Sequence, residues 1–226
     1  MNGSVVIAED VPSAFASLVV ERFADRIGPR FSIAFSGGST ARRCYESLAA
    51  SAPGSIVWSQ VSALWGDERC VPLDDEESNY RLVRESLLDR VDALGEVLPM
   101  IPAEGAAGYE SIVRDHLPID LVHLGLGPDG HTASLFPRSD ALAVDDGRLV
   151  VMNTDPLGNN PHERMTLTYA GIASARLVVV TVEGASKRDA FERVCRDDPT
   201  APASHISAGE VIWIVDPAAS ASAAPK

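Results

Sequence analysis

The sequence lacks any apolar run approaching the roughly 20 residues that are needed to span a bilayer. Its N-terminus, MNGSVVIAED, has no basic region followed by a long apolar stretch, so no secretory signal peptide is predicted. The three cysteines, Cys44, Cys70 and Cys195, are odd in number and show no CxxC spacing, which favours reduced thiols over disulfides or a zinc site. We therefore expect a cytoplasmic protein without a membrane partner.

Positive charge is scarce as well. The chain has 19 Lys and Arg residues against 32 Asp and Glu residues, which gives a formal net charge of -13. Such a surface repels nucleic acid and anionic membranes, so neither is an expected partner. A small anionic substrate remains compatible, because its binding depends on the local charge inside a cleft. For the oligomeric state, we expect a monomer or a small homo-oligomer.

Several catalytic motifs are missing. The sequence contains no Walker A pattern GxxxxGK[ST] and no nucleophile elbow GxSxG, which argues against a P-loop and an acyl-enzyme serine. Its five histidines show no HExxH or other metal-ligand spacing. We therefore expect neither a required metal nor another cofactor.

Short apolar runs alternate with amphipathic stretches along the chain, and 46% of the residues are hydrophobic. This alternation predicts an α/β fold, with a mostly parallel sheet and helices on both faces. Predicted strands cover residues 5–8, 31–35, 61–65, 97–101, 119–124, 149–152, 165–167, 177–182 and 211–215. Predicted helices cover residues 11–27, 41–50, 78–91, 104–117 and 186–194. We expect one domain over residues 1–216, followed by a disordered tail, PAASASAAPK, over residues 217–226.

Ligands of such sheets bind at the carboxyl ends of the strands, a rule that selects the loops after FSIAF, VSALW and IDLVHL. The first loop is Ser36-Gly37-Gly38-Ser39-Thr40. Its two glycines let the backbone approach an anion, and the following helix directs free N–H groups at that anion. The alternative is an ordinary tight turn with a Ser or Thr as the helix cap.

The second loop, WGDERCVP, carries acidic and basic side chains directly after a strand. Arg69 can hold a phosphate or carboxylate through two parallel hydrogen bonds, and Asp67 can orient another side chain. The alternative is a surface ion-pair cluster. Because this loop follows the carboxyl end of a strand, a ligand-binding site is favoured over a surface ion-pair cluster.

The third loop, GLGPDGHT, contains the pattern GxGxxG but not the context of a dinucleotide site. A long helix should follow the third glycine, whereas Pro137 ends any helix there. The glycines, Gly127 among them, more plausibly form a sharp turn that exposes Asp129 and His131. A histidine beside an aspartate suits general base chemistry near neutral pH. The alternative is a histidine that only caps the next turn.

Two cations later in the chain are further candidates for the site. Arg164 begins the predicted strand RMTLT. Lys187 lies at the start of a helix, where its charge opposes the helix dipole, as expected for a lysine placed to meet an anionic ligand. A solvated surface lysine is the alternative.

These stretches together resemble the 6-phosphogluconolactonase family. The matching segments are SGGST (36–40), WGDERCVPLDDEESNYRL (65–82), HLGLGPDGHTASLFP (123–137), ERMTLTYAGIASAR (163–176) and VEGASKRDAF (182–191). The resemblance implies a Rossmann-like fold similar to that of glucosamine-6-phosphate deaminases and ribose-5-phosphate isomerases. One departure is visible before the ITLT-like strand, where the family often has a proline-rich stretch and this chain has LGNNPHER.

The resemblance also implies an activity. The family hydrolyses 6-phospho-D-glucono-1,5-lactone to 6-phosphogluconate, in the oxidative pentose phosphate pathway. The histidine of DGH, its proposed base, corresponds to His131. The SGGS loop, the arginine of DER and the lysine after the last long strand correspond to Ser36–Ser39, Arg69 and Lys187, which implies that these line the site. Either Asp129 or Asp67 would hold the imidazole.

Two other functions remain open from the sequence. An amino-sugar-phosphate deaminase or isomerase has a similar DGH loop, but the deaminases typically continue with AFNEP where this chain has SLFP. A non-catalytic sugar-phosphate sensor would use the same fold only to bind its ligand.

Overall fold

Seven parallel strands form the central sheet of the protein, whose computed structural model describes residues 1–51, 54–92 and 94–220. In order across the sheet, the strands are β1 (Ser4–Ile7), β10 (Glu210–Val215), β9 (Leu177–Val182), β6 (Leu121–Gly125), β2 (Phe31–Phe35), β3 (Val61–Trp65) and β5 (Glu96–Val97). Three of them, FSIAF, VSALW and LVVVTV, have the predicted bounds.

The middle of this sheet is buried on both faces. All residues of β2, β3 and β9 are buried, and successive side chains of a strand point to opposite faces. Other parts of the chain therefore cover both faces, which confirms the predicted α/β class. The helices are α1 (Val11–Ala24), α2 (Ser39–Ser51), α3 (Asn79–Ser86), α4 (Ala106–Asp115), α5 (Tyr169–Ala173), α6 (Arg188–Cys195) and α7 (Pro217–Ser220). No helix in the described ranges is long and apolar enough to cross a membrane.

A second, antiparallel sheet lies outside the central one. Its three strands, in order, are β4 (Asp67–Arg69), β8 (Arg164–Leu167) and β7 (Val150–Asn153). The sequence predicts a loop where β4 lies, and it does not predict a separate sheet. The reason is a turn at Gly66, whose N–H donates to Phe35 and whose carbonyl accepts from Leu167 (2.8 Å each). This turn takes the chain out of the central sheet.

Several predicted elements are shorter in the structure. The helix predicted over 11–27 ends at Ala24, and the helix predicted over 78–91 ends at Ser86. Two others are shortened by a proline or a glycine. The predicted strand 97–101 is reduced to β5, because Pro99 has no N–H to donate to a sheet. The predicted helix 104–117 begins only at Ala106, because Gly105 has a φ of +78°, which is not helical.

The predicted disordered tail begins with the short helix α7, so the prediction is wrong for residues 217–220. Asp216 accepts a hydrogen bond from the backbone N–H of Ala219 (2.8 Å), a residue that is fully buried. Arg188 adds two hydrogen bonds to a carbonyl of α7. The remaining tail residues, 221–226, lie outside the described residues.

Candidate active site

A cavity of about 200 Å³ lies where the loops after β2, β3, β6 and β9 meet. These strands are adjacent in the sheet, so their carboxyl ends share one edge. The predicted site residues that line the cavity are Ser36, Gly37, Gly38, Ser39, Thr40, Asp67, Arg69, Gly127, His131, Arg164 and Lys187. The remaining predicted residue, Asp129, is connected to the cavity through its hydrogen bond to His131.

The glycine loop is held in place from two sides. The hydroxyl of Tyr45 accepts from the N–H of Ser36 (2.7 Å) and lies 3.1 Å from the carbonyl of the same residue. A Cβ on Gly37 would lie 1.8 Å from Oδ1 of Asn79, so only glycine allows this close packing. Gly38 has a φ of +99°. The loop thus turns directly into α2, whose first N–H groups have no acceptor within the helix.

His131 is held by Asp129. Nδ1 of His131 lies 2.6 Å from Oδ1 of Asp129, and the same oxygen accepts from the His131 backbone N–H (3.1 Å). Since a carboxylate can only accept, the contact selects the neutral tautomer in which Nδ1 carries the proton and Nε2 has the lone pair. Burial raises the pKa of Asp129, but the hydrogen bond and charge of His131 outweigh this effect and leave that pKa below its ordinary value.

The imidazole ring is also packed tightly. A Cβ on Gly127 would lie 2.3 Å from the His131 ring, so the glycine allows the ring to lie against the backbone. Phe136 contacts the ring edge to face, with 5.2 Å between the ring centroids. These contacts leave the ring little freedom to rotate away from the cavity.

Asp67 lines the same cavity but bonds to other groups. Its carboxylate accepts from the Ser134 hydroxyl (2.7 Å) and from the side-chain amide of Asn79 (3.2 Å). Of the two aspartates considered for holding the imidazole, the geometry therefore selects Asp129. A direct catalytic role of Asp67 stays a prediction.

Two arginines face each other across the antiparallel pair β4–β8, in which Arg69 is the register partner of Arg164. Arg164 is buried, with 6% of its surface exposed, and its Nε has no hydrogen-bond partner among the described residues. Burial lowers the pKa of Arg164, and the positive charge of Arg69 lowers it further. A buried cation beside a like charge is costly unless an anion joins it, so this pair is suited to bind a phosphate.

Lys187 lies at the opposite end of the row of loops, after β9. It closes a single turn, Ala185–Lys187, that precedes α6. Burial lowers the pKa of Lys187, while the negative charge of Asp129 opposes that decrease. The charge of Asp129 therefore acts on both Lys187 and His131.

Sequence reasoning missed the buried carboxylate of Glu68. It accepts from the backbone N–H groups of Asn79 and Tyr80 (2.8 Å each) and from the Ser78 hydroxyl (3.0 Å), and so binds the N-terminus of α3 to β4. Burial raises the pKa of Glu68, although these backbone N–H bonds lower it. Its only sequence signal is its place in the DER motif. Ser78 caps the same helix, because its hydroxyl accepts from the N–H of Arg81 (3.2 Å).

The cavity has five further polar lining residues that the sequence prediction did not name. They are Asn79, Ser134, Asn160, Thr181 and Glu183. Asn79 lies within the quoted SNYR motif, whereas Asn160 belongs to the stretch that departs from the family. No group of three or more His, Cys, Asp or Glu residues in the described chain is arranged to hold a metal ion.

His123, by contrast, is a buried structural residue. Its Nδ1 lies 2.8 Å from the Tyr45 hydroxyl and its Nε2 lies 2.9 Å from that of Thr181. The ring packs against Phe15 of α1, and burial lowers its pKa to about 3. It is therefore neutral and does not compete with His131 as a base.

Comparisons with known proteins give one consistent result. The sequence model of a family described as glucosamine-6-phosphate isomerases/6-phosphogluconolactonase matches residues 7–213. A 6-phosphogluconolactonase of Nostoc sp. is 40% identical over 210 residues, which cover 85% of this chain and 84% of that protein. The crystal structure of 6-phosphogluconolactonase from Leishmania guyanensis superposes with a TM-score of 0.87 at 27% identity and covers 100% of both chains.

The same fold occurs in a more distant protein. A monomeric glucosamine-6-phosphate deaminase superposes with a TM-score of 0.79 at 18% identity, with 98% of this chain and 99% of that chain covered. At that identity the likeness supports the fold alone.

Proposed function

The chain belongs to the glucosamine-6-phosphate isomerase/6-phosphogluconolactonase family, and from that premise we propose that it hydrolyses 6-phospho-D-glucono-1,5-lactone to 6-phosphogluconate. The observation that carries this proposal is the shared cavity. Among the described residues, an imidazole whose Nε2 has no hydrogen-bond partner lines it together with a glycine loop and the pair of Arg69 and the buried Arg164. An ester hydrolase that acts on a phosphorylated substrate needs both a base and an anion site.

The substrate phosphate binds to the guanidinium groups of Arg69 and Arg164, together with N–H groups of the glycine loop. These contacts fix the position of the lactone ring, and Lys187 adds positive charge at the other end of the cavity. Fixing the ring in this way makes the attack of water effectively unimolecular.

His131 then acts as the general base. Its Nε2 takes a proton from a water molecule, which attacks the lactone carbonyl, while Asp129 stabilises the imidazolium that forms. Backbone N–H groups or a cation hold the negative oxygen of the tetrahedral intermediate. The imidazolium returns the proton to the ring oxygen as the carbon–oxygen bond breaks. Acid–base help of this kind contributes about 10²–10⁴-fold.

The proposal extends to the setting of the reaction. We place the activity in one α/β domain that extends through α7 to residue 220, acting in the cytoplasm as a monomer or a small homo-oligomer. The support for the cytoplasm is that Cys44, Cys70 and Cys195 are free thiols, as is usual in a reducing compartment. The oxidative pentose phosphate pathway is the corresponding metabolic route.

The test is turnover of two substrates by the purified chain. We expect acid release from freshly made 6-phosphogluconolactone well above the spontaneous rate, and no ammonia from glucosamine 6-phosphate. Ammonia release without lactone hydrolysis would identify a deaminase instead. Binding of 6-phosphogluconate without turnover of either substrate would identify a sensor.

A further inference from the structure

The loop between β7 and β8, where this chain departs from the family, is organised around one buried carboxylate. Asp155 accepts hydrogen bonds from the backbone N–H groups of Leu157 (2.9 Å), Asn159 (3.0 Å) and Asn160 (3.1 Å). It accepts a fourth from the side-chain amide of Asn160 (2.9 Å). Four bonds to one aspartate fix a turn that has no helix or strand of its own.

The fourth bond determines which way the Asn160 side chain faces. A carboxylate has no proton to donate, so the NH₂ group of Asn160 must face Asp155. Its Oδ1 is then turned away from Asp155 and has no partner among the hydrogen bonds of the described residues. Asn160 is half-buried and lines the same cavity as His131 and Arg164, so a ligand in that cavity lies beside this residue.

Few carboxylate or amide oxygens of the cavity lining are available to accept a further hydrogen bond. The carboxylate of Asp67 accepts from Ser134 and Asn79. The carboxylate of Glu183 is paired with Arg43, and Oδ1 of Asn79 is packed against Gly37. A sugar-acid chain carries several hydroxyl groups, and each has a proton that needs an acceptor once it leaves water. A site with donors alone would bind the phosphate but would not recognise the hydroxyl groups.

We propose that Oδ1 of Asn160 accepts a hydrogen bond from a hydroxyl group of the sugar-acid chain, and that Asp155 is the positioning residue that orients Asn160. Asn160 is then a specificity-determining residue that distinguishes a polyhydroxylated phosphate ester from phosphate itself. This inference rests on the proposed function, because it takes the sugar acid as the ligand.

The test compares two competitive inhibitors, 6-phosphogluconate and inorganic phosphate, on the full-length protein. Asn160→Ala should weaken inhibition by 6-phosphogluconate about three- to tenfold, the effect of losing one hydrogen bond to a neutral group. Inhibition by inorganic phosphate should not change, since phosphate carries no hydroxyl chain. Asn159→Ala is the matched control, because its side chain is exposed and only its backbone N–H contacts Asp155.

Two outcomes would overturn the role of Asn160. The first is unchanged inhibition of Asn160→Ala by 6-phosphogluconate. The second is an equal weakening of both inhibitors, which would mean that the loop supports the whole cavity. Lactone turnover by the wild-type protein is measured in the same series, so a failure of the proposed function is seen separately.

The positioning role of Asp155 is tested by a double-mutant cycle. In the wild-type background, Asp155→Asn should weaken inhibition by 6-phosphogluconate. In the Asn160→Ala background it should have no further effect on that inhibition, because Asp155 acts through Asn160. Additive effects, or a loss of inorganic phosphate binding in Asp155→Asn alone, would refute that role.

Discussion

Two walls of the cavity differ in how well their polar groups are satisfied. The imidazole wall consists of Gly127, Asp129 and His131, and the guanidinium wall consists of Arg69 and Arg164. In the imidazole wall, the charge of the aspartate is matched by hydrogen bonds and the ring is packed against the backbone. In the guanidinium wall, two positive charges lie opposite each other, and Nε of each arginine is buried without a partner among the described residues.

This difference indicates that the imidazole wall serves catalysis and the guanidinium wall serves anion binding. The imidazole wall is organised before the substrate arrives, as a base must be if it is to act without further rearrangement. In the guanidinium wall, the negative charges of Asp67, Glu68 and Glu77 offset part of the cost of burying Arg164. A bound anion offsets more of that cost, so ligand binding stabilises the protein. Substitutions in the first wall should therefore affect kcat, whereas those in the second should affect KM and stability.

Removing the base should have the largest effect. We expect His131→Ala to lower kcat for lactone hydrolysis by about 10²–10⁴-fold, with a small change in KM, because the phosphate contacts remain. Rates are measured above the spontaneous hydrolysis of the lactone, and thermal unfolding checks the fold. His205→Ala, an exposed histidine outside the cavity lining, is the control. Wild-type kcat in His131→Ala would remove His131 from the mechanism.

Replacing the partner of the imidazole should have the next largest effect. Asp129→Asn keeps the shape of the side chain, but its amide NH₂ can donate to Nδ1 of His131 and so favour the tautomer with the proton on Nε2. We expect kcat to fall by about 10²-fold or more. A kcat equal to that of Asp146→Asn, a substitution at an exposed ion pair, would show that Asp129 does not orient the base.

The same variant should change the pH dependence of stability. Because the pKa of Asp129 is lower in the folded protein than its ordinary value of 3.8, its charged form contributes stability above that value. This contribution is lost as the pH falls through the lowered pKa. The stability difference between wild type and Asp129→Asn, measured by urea unfolding, should thus be present at neutral pH and shrink in acid. A difference that stays constant across this range would contradict the assignment.

Removing the buried cation of Arg164 should weaken substrate binding without lowering the stability of the ligand-free protein. We expect Arg164→Met to raise KM at least tenfold, since a hydrogen bond to a charged group is lost. It should also leave the ligand-free protein as stable as wild type, or more stable by about 1 kcal/mol, because the unpaired buried charge is gone. Arg148→Met, at an exposed ion pair, controls for the loss of a surface arginine. An unchanged KM, or a strongly destabilised protein, would show that Arg164 has a structural role instead.

The smallest effect should come from Lys187. Its pKa is lowered by burial, so its charge is lost at a pH below the 10.5 of an ordinary lysine. Inhibition by inorganic phosphate should therefore weaken severalfold as the pH rises towards that range in the wild type. The decrease should be smaller in Lys187→Met, which has no charge to lose. Parallel pH curves for the two proteins would exclude Lys187 from anion binding.

The sequence predicted the imidazole wall better than the guanidinium wall, for a physical reason. Asp129 and His131 are two residues apart, so a local glycine turn brings them together, and the loop pattern reveals both. Arg69 and Arg164 are 95 residues apart, and they meet through the register of a small antiparallel sheet that no local pattern encodes. The sequence makes each arginine a candidate site residue, but it does not predict that the two are paired.

Other parts of the site depend on packing that the sequence does not display. The choice between Asp67 and Asp129 as the partner of the base was open until the contacts of Ser134 and Asn79 with Asp67 were seen. The sequence does not identify Glu68 as a buried helix cap, because the groups that donate to its carboxylate from α3 lie ten or more residues further along the chain. The strand-end rule, in contrast, located the cavity correctly, since it depends only on the order of strands and loops.

A crystal structure of the protein with 6-phosphogluconate bound would show directly whether the two walls serve one ligand. If the guanidinium wall binds the anion and the imidazole wall supplies the base, the phosphate lies within hydrogen-bond distance of Arg164. The carboxylate at C1 then lies close to Nε2 of His131. A ligand that contacts only one wall, or whose C1 end points away from His131, would contradict it.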